Sequence, residues 1–390
     1  MTRDDDAPAS TLRGGSQTLY APRGGKGVSH ATGRIQISGD GVISGRGPGT
    51  RTQIGLIGLG YWGPNLLRVL SERPDVETRW ICDLREDRLE SYGRRYPATR
   101  PTSDAGDLFE DPSLDAILIA TPVFTHFELA SRSLEAGKHT FVEKPLAASN
   151  QEVDQLLALG AEQGTVLMCG HTFLYSPPVR TIKGLLDRGE LGEIYFVSSS
   201  RVNLGLHQPD VSVVWDLGPH DFSILRYWLG ELPESISATG RDSIVEGIPD
   251  VAFLSLRFSG GTVANLEMSW LAPSKLRRTV LVGSRKMVVY EEGALEPVRI
   301  FDHGVVYRDP ETFGEYQLSY RTGDVVSPKV ETVEPLALEL EEFVRSIRRG
   351  KAPDGHVELC RDVVRMVEAA VASLNGTGGP VPLGVDIGTR

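Results

Sequence analysis

The chain contains little of what marks several classes of protein. It has only three cysteines among 390 residues, and no two of them form a C-x-x-C pair. We therefore expect Cys82, Cys169 and Cys360 to be plain thiols in a reducing cytoplasm, with no disulfide framework and no metal site. No apolar run reaches the ~18–20 residues that a membrane helix needs.

Basic residues are also in deficit, since the formal net charge is −11. This charge argues against a general nucleic-acid binder. A hydrophobic content of 40% is ordinary for a globular protein, and 390 residues are enough for two domains. Residues 1–50 are rich in Gly, Ser and Thr, so we expect a flexible extension or a start codon assigned too far upstream.

A glycine-rich turn is the most informative segment that is present. Residues 54–63 read IGLIGLGYWG, in which Gly58, Gly60 and Gly63 give the spacing G-x-G-x-x-G between a predicted strand and a predicted helix. The first glycine permits the tight turn, the second lets a pyrophosphate approach the backbone, and the third lets the helix pack on the strand. Tyr61 and Trp62 lie in the same loop. The segment therefore predicts a dinucleotide site at a helix N-terminus.

An acidic residue follows at the end of the next predicted strand. Asp83 lies 25 residues after Gly58, near the ~20 expected for a carboxylate that binds the adenosine ribose. Such a carboxylate repels a 2′-phosphate, so we expect NAD more than NADP, although Arg85 and Arg88 follow closely and soften that preference. The alternative is that Asp83 only caps the following helix.

The pattern along the chain divides it into two folded parts. From residue 53 to 172 continuous apolar runs alternate with helical stretches, which predicts a doubly wound parallel sheet with ligands at the carboxyl ends of the strands. From 173 to 375 a helix, several alternating strands and two closing helices predict an α+β domain with a large, mostly antiparallel, open sheet. Residues 376–390 form a C-terminal tail. The open face of the sheet predicts a homo-oligomer.

Short signals mark individual elements. Ser149 to Glu152 has the pattern of a capping box at a helix start, and Gly260-Gly261 between two strand candidates predicts a hairpin turn. The closing helices are expected at about 335–349 and 357–374.

Two strand ends in the first part carry candidate site residues. Ala120, Thr121 and Pro122 follow one strand, and we expect their backbone to lie against the cofactor. His126, one turn into the next helix, is expected to be structural or a ribose contact. Glu143 and Lys144 follow the next strand, and Lys144 would place an ammonium group where a nicotinamide lies, because Pro145 favours an extended backbone before it. The alternative is a solvated loop with a surface ion pair.

A second candidate constellation is WDLGPHD at 215–221. Pro219 suits a first helical turn, which makes Gly218 the expected cap and places His220 beside unpaired N–H groups. The helix dipole would lower the pKa of His220 and Asp216 would raise it, so we expect a neutral imidazole that acts as a general base and is oriented by Asp216. The alternative is a histidine satisfied by a local carboxylate.

Further polar residues are candidates for contact with a polar substrate. They follow the last strand of the first part or lie in the first long strand of the second, and linker packing or a helix surface explains some of them equally well: His171, Tyr175, Arg180, Arg201 and Asn203.

The segments GLGYWGPNLLR, ATPVFTH, VEKPLA, GHTFLYSPPVR and WDLGPHD occur in that order. Together they resemble the Gfo/Idh/MocA oxidoreductases over about residues 53–375. The resemblance implies a Rossmann domain followed by an α+β domain, usually in a dimer or tetramer, and hydride transfer between a sugar-type alcohol and a nicotinamide cofactor. It further implies that Lys144 contacts substrate and cofactor, and that Asp216 and His220 form a catalytic pair with His220 as acid/base.

Several functions are compatible with this resemblance. GYWGPNLLR and VNLGL resemble a subgroup of nucleotide-sugar 3-dehydrogenases of the UDP-N-acetylglucosamine type. An inositol or aminocyclitol dehydrogenase is a second hypothesis, and a cofactor-binding sensor without catalysis is a third, which the joint presence of Lys144, Asp216 and His220 disfavours.

Overall fold

The structure is a computed structural model that describes residues 50–205, 207, 211–307 and 318–383. The predicted extension at 1–50, apart from Thr50, and the end of the predicted tail lie outside the described residues. Among the helices that the structure describes, none is long and apolar enough to cross a membrane.

The first half folds around a parallel six-stranded sheet with the strand order β3-β2-β1-β4-β5-β6. Its elements are β1 Thr52–Ile57, α1 Gly63–Glu72, β2 Val76–Cys82, α2 Glu86–Arg95, β3 Arg100–Thr102, α3 Gly106–Glu110, β4 Ala116–Ile119, α4 His126–Glu135, β5 His139–Glu143, α5 Asn150–Glu162 and β6 Leu167–Gly170. This is the doubly wound order, and it confirms the predicted fold. Strand β3 was not predicted because its three residues are mostly exposed.

The central strands are buried on both faces. Every residue of β1 and β4 is buried, which is why their sequences read as continuous apolar runs. The predicted cap is present at the start of α5, where the Ser149 hydroxyl accepts a hydrogen bond from the Glu152 amide at 3.2 Å. The Glu152 carboxylate accepts from the Ala148 amide, one residue before the N-cap, so the reciprocal bond of the box is shifted by one residue. Local sequence signals therefore set both the strands and this helix start.

The second half builds a mixed sheet. Its elements are α6 Pro177–Asp187, β7 Ile194–Leu204, α7 Val213–Leu229, β8 Ser235–Arg241, β9 Val251–Arg257, β10 Val263–Ser269, β11 Leu271–Gly283, β12 Met287–Glu291, β13 Val298–Tyr307, β14 Leu318–Val326, α8 Pro335–Arg349, α9 His356–Asn375 and β15 Val381–Pro382. The strand order is β14-β13-β12-β11-β7-β10-β9-β8-β15, with β7 and β10 the parallel pair among the described strands. The predicted α+β architecture is confirmed.

One face of this sheet packs on helices. Strand β9 alternates buried and exposed residues, and the buried side joins α7 and α9 in one core. The predicted hairpin at Gly260-Gly261 connects the antiparallel strands β9 and β10, and Gly261 has a φ of 86°. The outer face exposes aromatic side chains such as Phe253 and Phe196.

The two closing helices tie the halves together. Leu336, Leu340 and Phe343 of α8 pack in the core of the first sheet, whereas α9 contributes to the core beside α5 and to the core of the second sheet. Strand β15, within the predicted tail, pairs with β8. The domain boundary at 172/173 stays a prediction, and tertiary contacts cross it.

The predicted start of helix α7 was wrong. The helix begins at Val213, and Pro219 lies inside it. Proline usually occupies a first turn because it lacks an N–H group, and that preference led us to place the start too late. His220 consequently lies in the middle of a helix, where the dipole of a free N-terminus does not act on it.

Candidate active site

The glycine loop has the geometry of a phosphate-binding turn. Gly58 has a φ of 98°, and a Cβ at Gly63 would lie 1.9 Å from the Gly58 carbonyl oxygen. A Cβ at Gly60, in contrast, would meet no atom closer than Arg88 Nη1 at 3.8 Å. The outer two glycines are therefore required by the fold itself, while Gly60 faces open space that a ligand can use.

Asp83 is fixed against this loop. Its carboxylate accepts hydrogen bonds from the Leu59 amide at 2.7 Å and the Arg85 amide at 2.9 Å, and it pairs with Arg88 at 3.3 Å. Helix α2 begins at Glu86 after Arg85, which lacks a side-chain cap. The carboxylate thus lies at the carboxyl end of β2 beside the loop, as a ribose contact requires, and it does not occupy the N-cap position.

The turn after β4 is held from behind by His126. Its ring nitrogens lie 2.9 Å from the Pro145 carbonyl oxygen and 2.8 Å from the Thr121 carbonyl oxygen. Burial lowers the pKa of this histidine. The side chain lies behind the cavity wall, so the geometry supports the structural interpretation and does not make His126 a cofactor contact.

Lys144 spans from the first half of the chain to helix α7. Its Nζ donates to the Asp216 carbonyl oxygen at 2.7 Å and to Asp216 Oδ1 at 3.1 Å. The other carboxylate oxygen, Oδ2, accepts a hydrogen bond from Trp270 Nε1 at 3.1 Å. Among the described residues, Asp216 therefore positions Lys144, and the prediction that it orients the His220 ring is not supported by the geometry.

His220 reaches the same cavity from the middle of α7. Its ring lies edge-on to Phe173, with 4.9 Å between the centroids. Burial, together with the positive charges of Lys144, Arg201 and Arg277, holds the pKa of His220 well below its usual value. The imidazole is neutral at physiological pH, as we predicted, but burial and cationic neighbours produce this state.

Glu143 is buried at the end of β5, beside Lys144. Burial raises the pKa of its carboxyl to about 7, although the charge of Lys144 opposes the shift. The Lys144 amide donates to Oε2 at 3.3 Å. Glu143 therefore adds a group that titrates near neutrality to the wall of the cavity.

Apart from His126, these groups surround one cavity of about 1650 Å³. This exceeds the ~300–1,000 Å³ of an ordinary ligand pocket, so there is room for a dinucleotide together with a second molecule. We call its two sides the first wall and the second wall. The first wall comprises Gly58, Gly60, Tyr61, Trp62, Asp83, Ala120, Thr121, Pro122, Glu143 and Lys144; the second comprises Asn203, Asp216, His220, Trp270, Arg277 and Glu292.

Among the five predicted substrate contacts, only Asn203 lines the cavity. Arg201 lies on the same face of β7 as Asn203, two residues earlier in the strand. It is buried against Asp221, with 2.7 Å between Nε and Oδ2. His171 and Tyr175 are buried. Arg180 donates to the Leu174 carbonyl oxygen and covers the Tyr175 ring. The geometry gives these four residues structural roles.

Sequence reasoning missed Trp270, Arg277 and Glu292. Arg277 Nη1 lies 2.6 Å from Glu292 Oε1, and both side chains line the cavity. They belong to β11 and to the turn after β12, which pair in the second sheet. The available signal was a strand with polar residues on the face that packs against the helices, where Arg277 pairs with Arg201 across the sheet.

Comparison with known proteins places both halves in one family. Residues 52–171 match the model of the GFO_IDH_MocA oxidoreductase family, NAD-binding Rossmann fold. Residues 179–289 match the GFO/IDH/MocA C-terminal domain. The two matched ranges together cover more than half of the chain.

Individual relatives are similar along much of this length. The uncharacterized oxidoreductase YrbE of Bacillus subtilis is 30% identical over 225 residues, which span 55% of this chain and 66% of that protein. The myo-inositol 2-dehydrogenase of Thermotoga maritima is 26% identical over 312 residues, 77% of this chain and 90% of the relative.

Among solved structures, GenD2 from gentamicin A biosynthesis, in complex with NAD, has a TM-score of 0.74 at 23% identity. The match covers 88% of this chain and 99% of the GenD2 chain. At this level of identity it shows a shared fold. With both of its halves matched and with its glycine loop in the expected geometry, the chain belongs to the GFO/IDH/MocA family of oxidoreductases, whose N-terminal domain is an NAD-binding Rossmann fold.

Proposed function

We propose that this protein is an NAD-dependent dehydrogenase that transfers hydride between a secondary alcohol of a sugar or nucleotide-sugar and the cofactor. The observation that carries the proposal is the meeting of two walls in one cavity. Lys144 from the first wall and His220 from the second line the same space as the glycine loop. An ammonium and a neutral imidazole are the groups that such a reaction needs.

The first wall offers the groups that would hold the cofactor. Open space at Gly60 would admit the pyrophosphate, the Asp83 carboxylate would accept hydrogen bonds from the adenosine ribose, and the strand ends at 120–122 and at Glu143 would line the remainder. When bound, the nicotinamide supplies the redox chemistry by accepting or donating the hydride.

The chain's own residues would move the proton. In the oxidative direction an imidazole nitrogen of His220 takes the proton from the substrate hydroxyl, and in the reverse direction it returns that proton. The ammonium group of Lys144 stabilises negative charge on the same oxygen. Asp216 acts through Lys144, because its two hydrogen bonds fix the position of Nζ.

A nucleotide-sugar of the UDP-N-acetylglucosamine type is the substrate class that we favour. The sequence resemblance to that subgroup suggests it, and the size of the cavity is compatible with it. Arg277 lines the second wall and supplies a cation for a phosphate, provided that its pairing with Glu292 is exchanged for the ligand.

An inositol is the second candidate. The supporting observation is the Thermotoga maritima relative named myo-inositol 2-dehydrogenase, which matches over 90% of its own length. In that case Asn203, Glu292 and Arg277 would bind ring hydroxyls in place of a phosphate.

A spectrophotometric panel tests these candidates. Purified protein with NAD is offered UDP-sugars, free sugars and inositols, and formation of reduced nicotinamide is recorded. Turnover with UDP-sugars alone supports the first candidate, and turnover with inositols alone supports the second. Tight binding of NAD without turnover of any member of the panel would contradict both and would favour a sensor.

We further propose that the protein assembles with copies of itself through the outer face of the second sheet. Phe253, Phe196 and Val263 are exposed on that face, and exposed apolar patches mark interaction sites. Sedimentation of the wild type and of Phe253→Glu tests this: a dimer or tetramer that dissociates in the variant is expected, and a monomeric wild type would contradict it.

A further inference from the structure

Two cysteines and a histidine from distant parts of the chain meet next to the cavity, behind the backbone of Gly170 and Thr172 that lines it. Cys169 lies in β6, His171 follows that strand, and Cys360 lies in the second turn of α9. One ligand atom from each of them lies within 4.8 Å of the other two. All three side chains are at most 2% exposed.

We propose that Cys169, His171 and Cys360 bind a soft divalent transition metal, with Zn²⁺ the best match. Two thiolates and an imidazole are the ligands that Zn²⁺ prefers. Zinc bonds of ~2.3 Å to sulfur and ~2.0–2.1 Å to nitrogen place tetrahedral ligand atoms roughly 3.5–3.8 Å apart. The three atoms lie within 4.8 Å of one another, so each pair needs to close by at most about 1.0–1.3 Å to reach these separations.

His171 provides an independent sign of a missing ligand. Its Nε2 atom is buried without a hydrogen-bond partner among the described residues. An unpaired polar atom in such a position costs free energy, which a metal ion would recover. Its chain neighbours Gly170 and Thr172 both line the cavity, so the ring points into the cluster from the opposite side of that backbone.

His356 supports the cluster from the first turn of α9. Its Nε2 accepts a hydrogen bond from the Cys169 amide at 2.9 Å, and its ring centroid lies 6.3 Å from that of His171. We assign it a positioning role, because supporting hydrogen bonds of this kind hold metal ligands in place. The fourth coordination position is left to one small molecule such as water.

The proposed site joins β6 of the first sheet to α9. Strand β6 ends at the cavity, and α9 packs under the second sheet beside α7, the helix that carries His220. A metal ion here would fix β6 to α9 without lining the cavity, so its role is structural. The sequence concealed this site because Cys360 is separated from Cys169 and His171 by almost the entire second domain.

Metal content of the full chain, purified without a histidine tag from zinc-supplemented medium, tests the proposal. We expect about one Zn²⁺ per chain, in line with a single three-ligand site, and its loss in Cys169→Ser and in Cys360→Ser. Cys82→Ser is the matched control, since Cys82 is a buried thiol outside the cluster, and it should keep its zinc. Retention of zinc in both cluster variants, or equal loss in the control, would overturn the assignment.

Cobalt provides a readout that does not depend on the folding of the variants. Wild-type protein freed of metal and titrated with Co²⁺ should show thiolate-to-cobalt charge-transfer absorption that saturates near one equivalent. Absence of this absorption in folded, fully reduced protein would contradict the proposal. Thiol counting adds a second check: one reactive thiol in denatured, metal-free protein would show a Cys169–Cys360 disulfide in place of the metal site.

Discussion

The two walls of the cavity differ in how their residues are brought together. The first wall is made from strand ends of one parallel sheet, so each contributing segment directly follows an apolar run in the sequence. The second wall collects residues from α7, β7, the β10–β11 connection, β11 and the turn after β12. Strand pairing such as that of β11 with β7, and packing of α7 on the sheet, bring these residues together. The sequence therefore predicted the first wall from its strand ends, whereas in the second wall it indicated Asn203, Asp216 and His220 but missed Trp270, Arg277 and Glu292.

The variant expected to have the largest effect is at His220, in the second wall, where turnover should fall without loss of NAD affinity. His220→Asn should lower kcat about 10²–10⁴-fold, as the loss of a general base does, while NAD affinity stays close to that of the wild type because the first wall holds the cofactor. Steady-state kinetics and NAD titration measure the two quantities.

His303→Asn, on β13 and outside the cavity lining, is the control for His220 and should keep full activity. A His220→Asn variant with undiminished kcat would remove His220 from the chemistry.

A smaller effect is expected at Asp83 in the first wall. Asp83→Asn removes a charge-assisted hydrogen bond worth about 1.5–3 kcal/mol and releases Arg88 toward a 2′-phosphate. The preference for NAD over NADP should fall roughly 10–100-fold, measured as the ratio of the two dissociation constants.

The control for Asp83 is Asp87→Asn, an exposed carboxylate that pairs with Arg85; its coenzyme ratio should not change. An unchanged ratio in Asp83→Asn itself would show that this carboxylate does not contact the ribose.

The glycine loop gives a matched pair of variants. Gly63→Ala forces a Cβ against the Gly58 carbonyl oxygen and should cost about 1–3 kcal/mol of the free energy of unfolding. Gly60→Ala meets only open space, so its thermal unfolding should resemble that of the wild type while NAD binding weakens. Equal stability of the two variants would contradict the geometry of the loop.

The pH dependence of kcat/KM is expected to show the smallest effect. Because burial and neighbouring cations hold the pKa of His220 well below 6.5, activity should not decline through protonation of this imidazole between pH 8 and 6.5. Lys144→Met removes one positive neighbour and should raise the pKa, since the imidazolium is then less disfavoured.

Histidine resonances followed by NMR through a pH titration measure this shift directly. A pKa of His220 that is the same in Lys144→Met and in the wild type would show that the two groups do not interact.

The sequence predicted the fold and the first wall because local rules govern both. Apolar runs gave the strands β1, β2 and β4 to β6, and the glycine spacing located the loop. Prediction from the sequence failed where the same type of residue is common in two different structural settings. Pro219 was assigned to a helix start although it lies inside α7, and Arg201 was assigned to substrate although it pairs with the buried Asp221.

The spacing of residues along the chain also failed to predict the hydrogen-bond partners of charged side chains. Asp216 lies one helical turn before His220, which suggested that it orients the imidazole. Its carboxylate instead binds Lys144 and Trp270, because the end of β5 and the end of β10 approach that turn of α7. Only the tertiary structure determines from which nearby side chains a carboxylate accepts hydrogen bonds.

A double-mutant cycle on Lys144 and His220 tests most directly whether the two walls act at one reacting alcohol. Turnover is measured for Lys144→Met, His220→Asn and the double variant, with Lys183→Met on the surface of α6 as the control. We predict that the double variant is about as slow as the slower single variant, because groups that act as a unit are not additive. Losses that multiply, or full turnover in either single variant, would contradict the account.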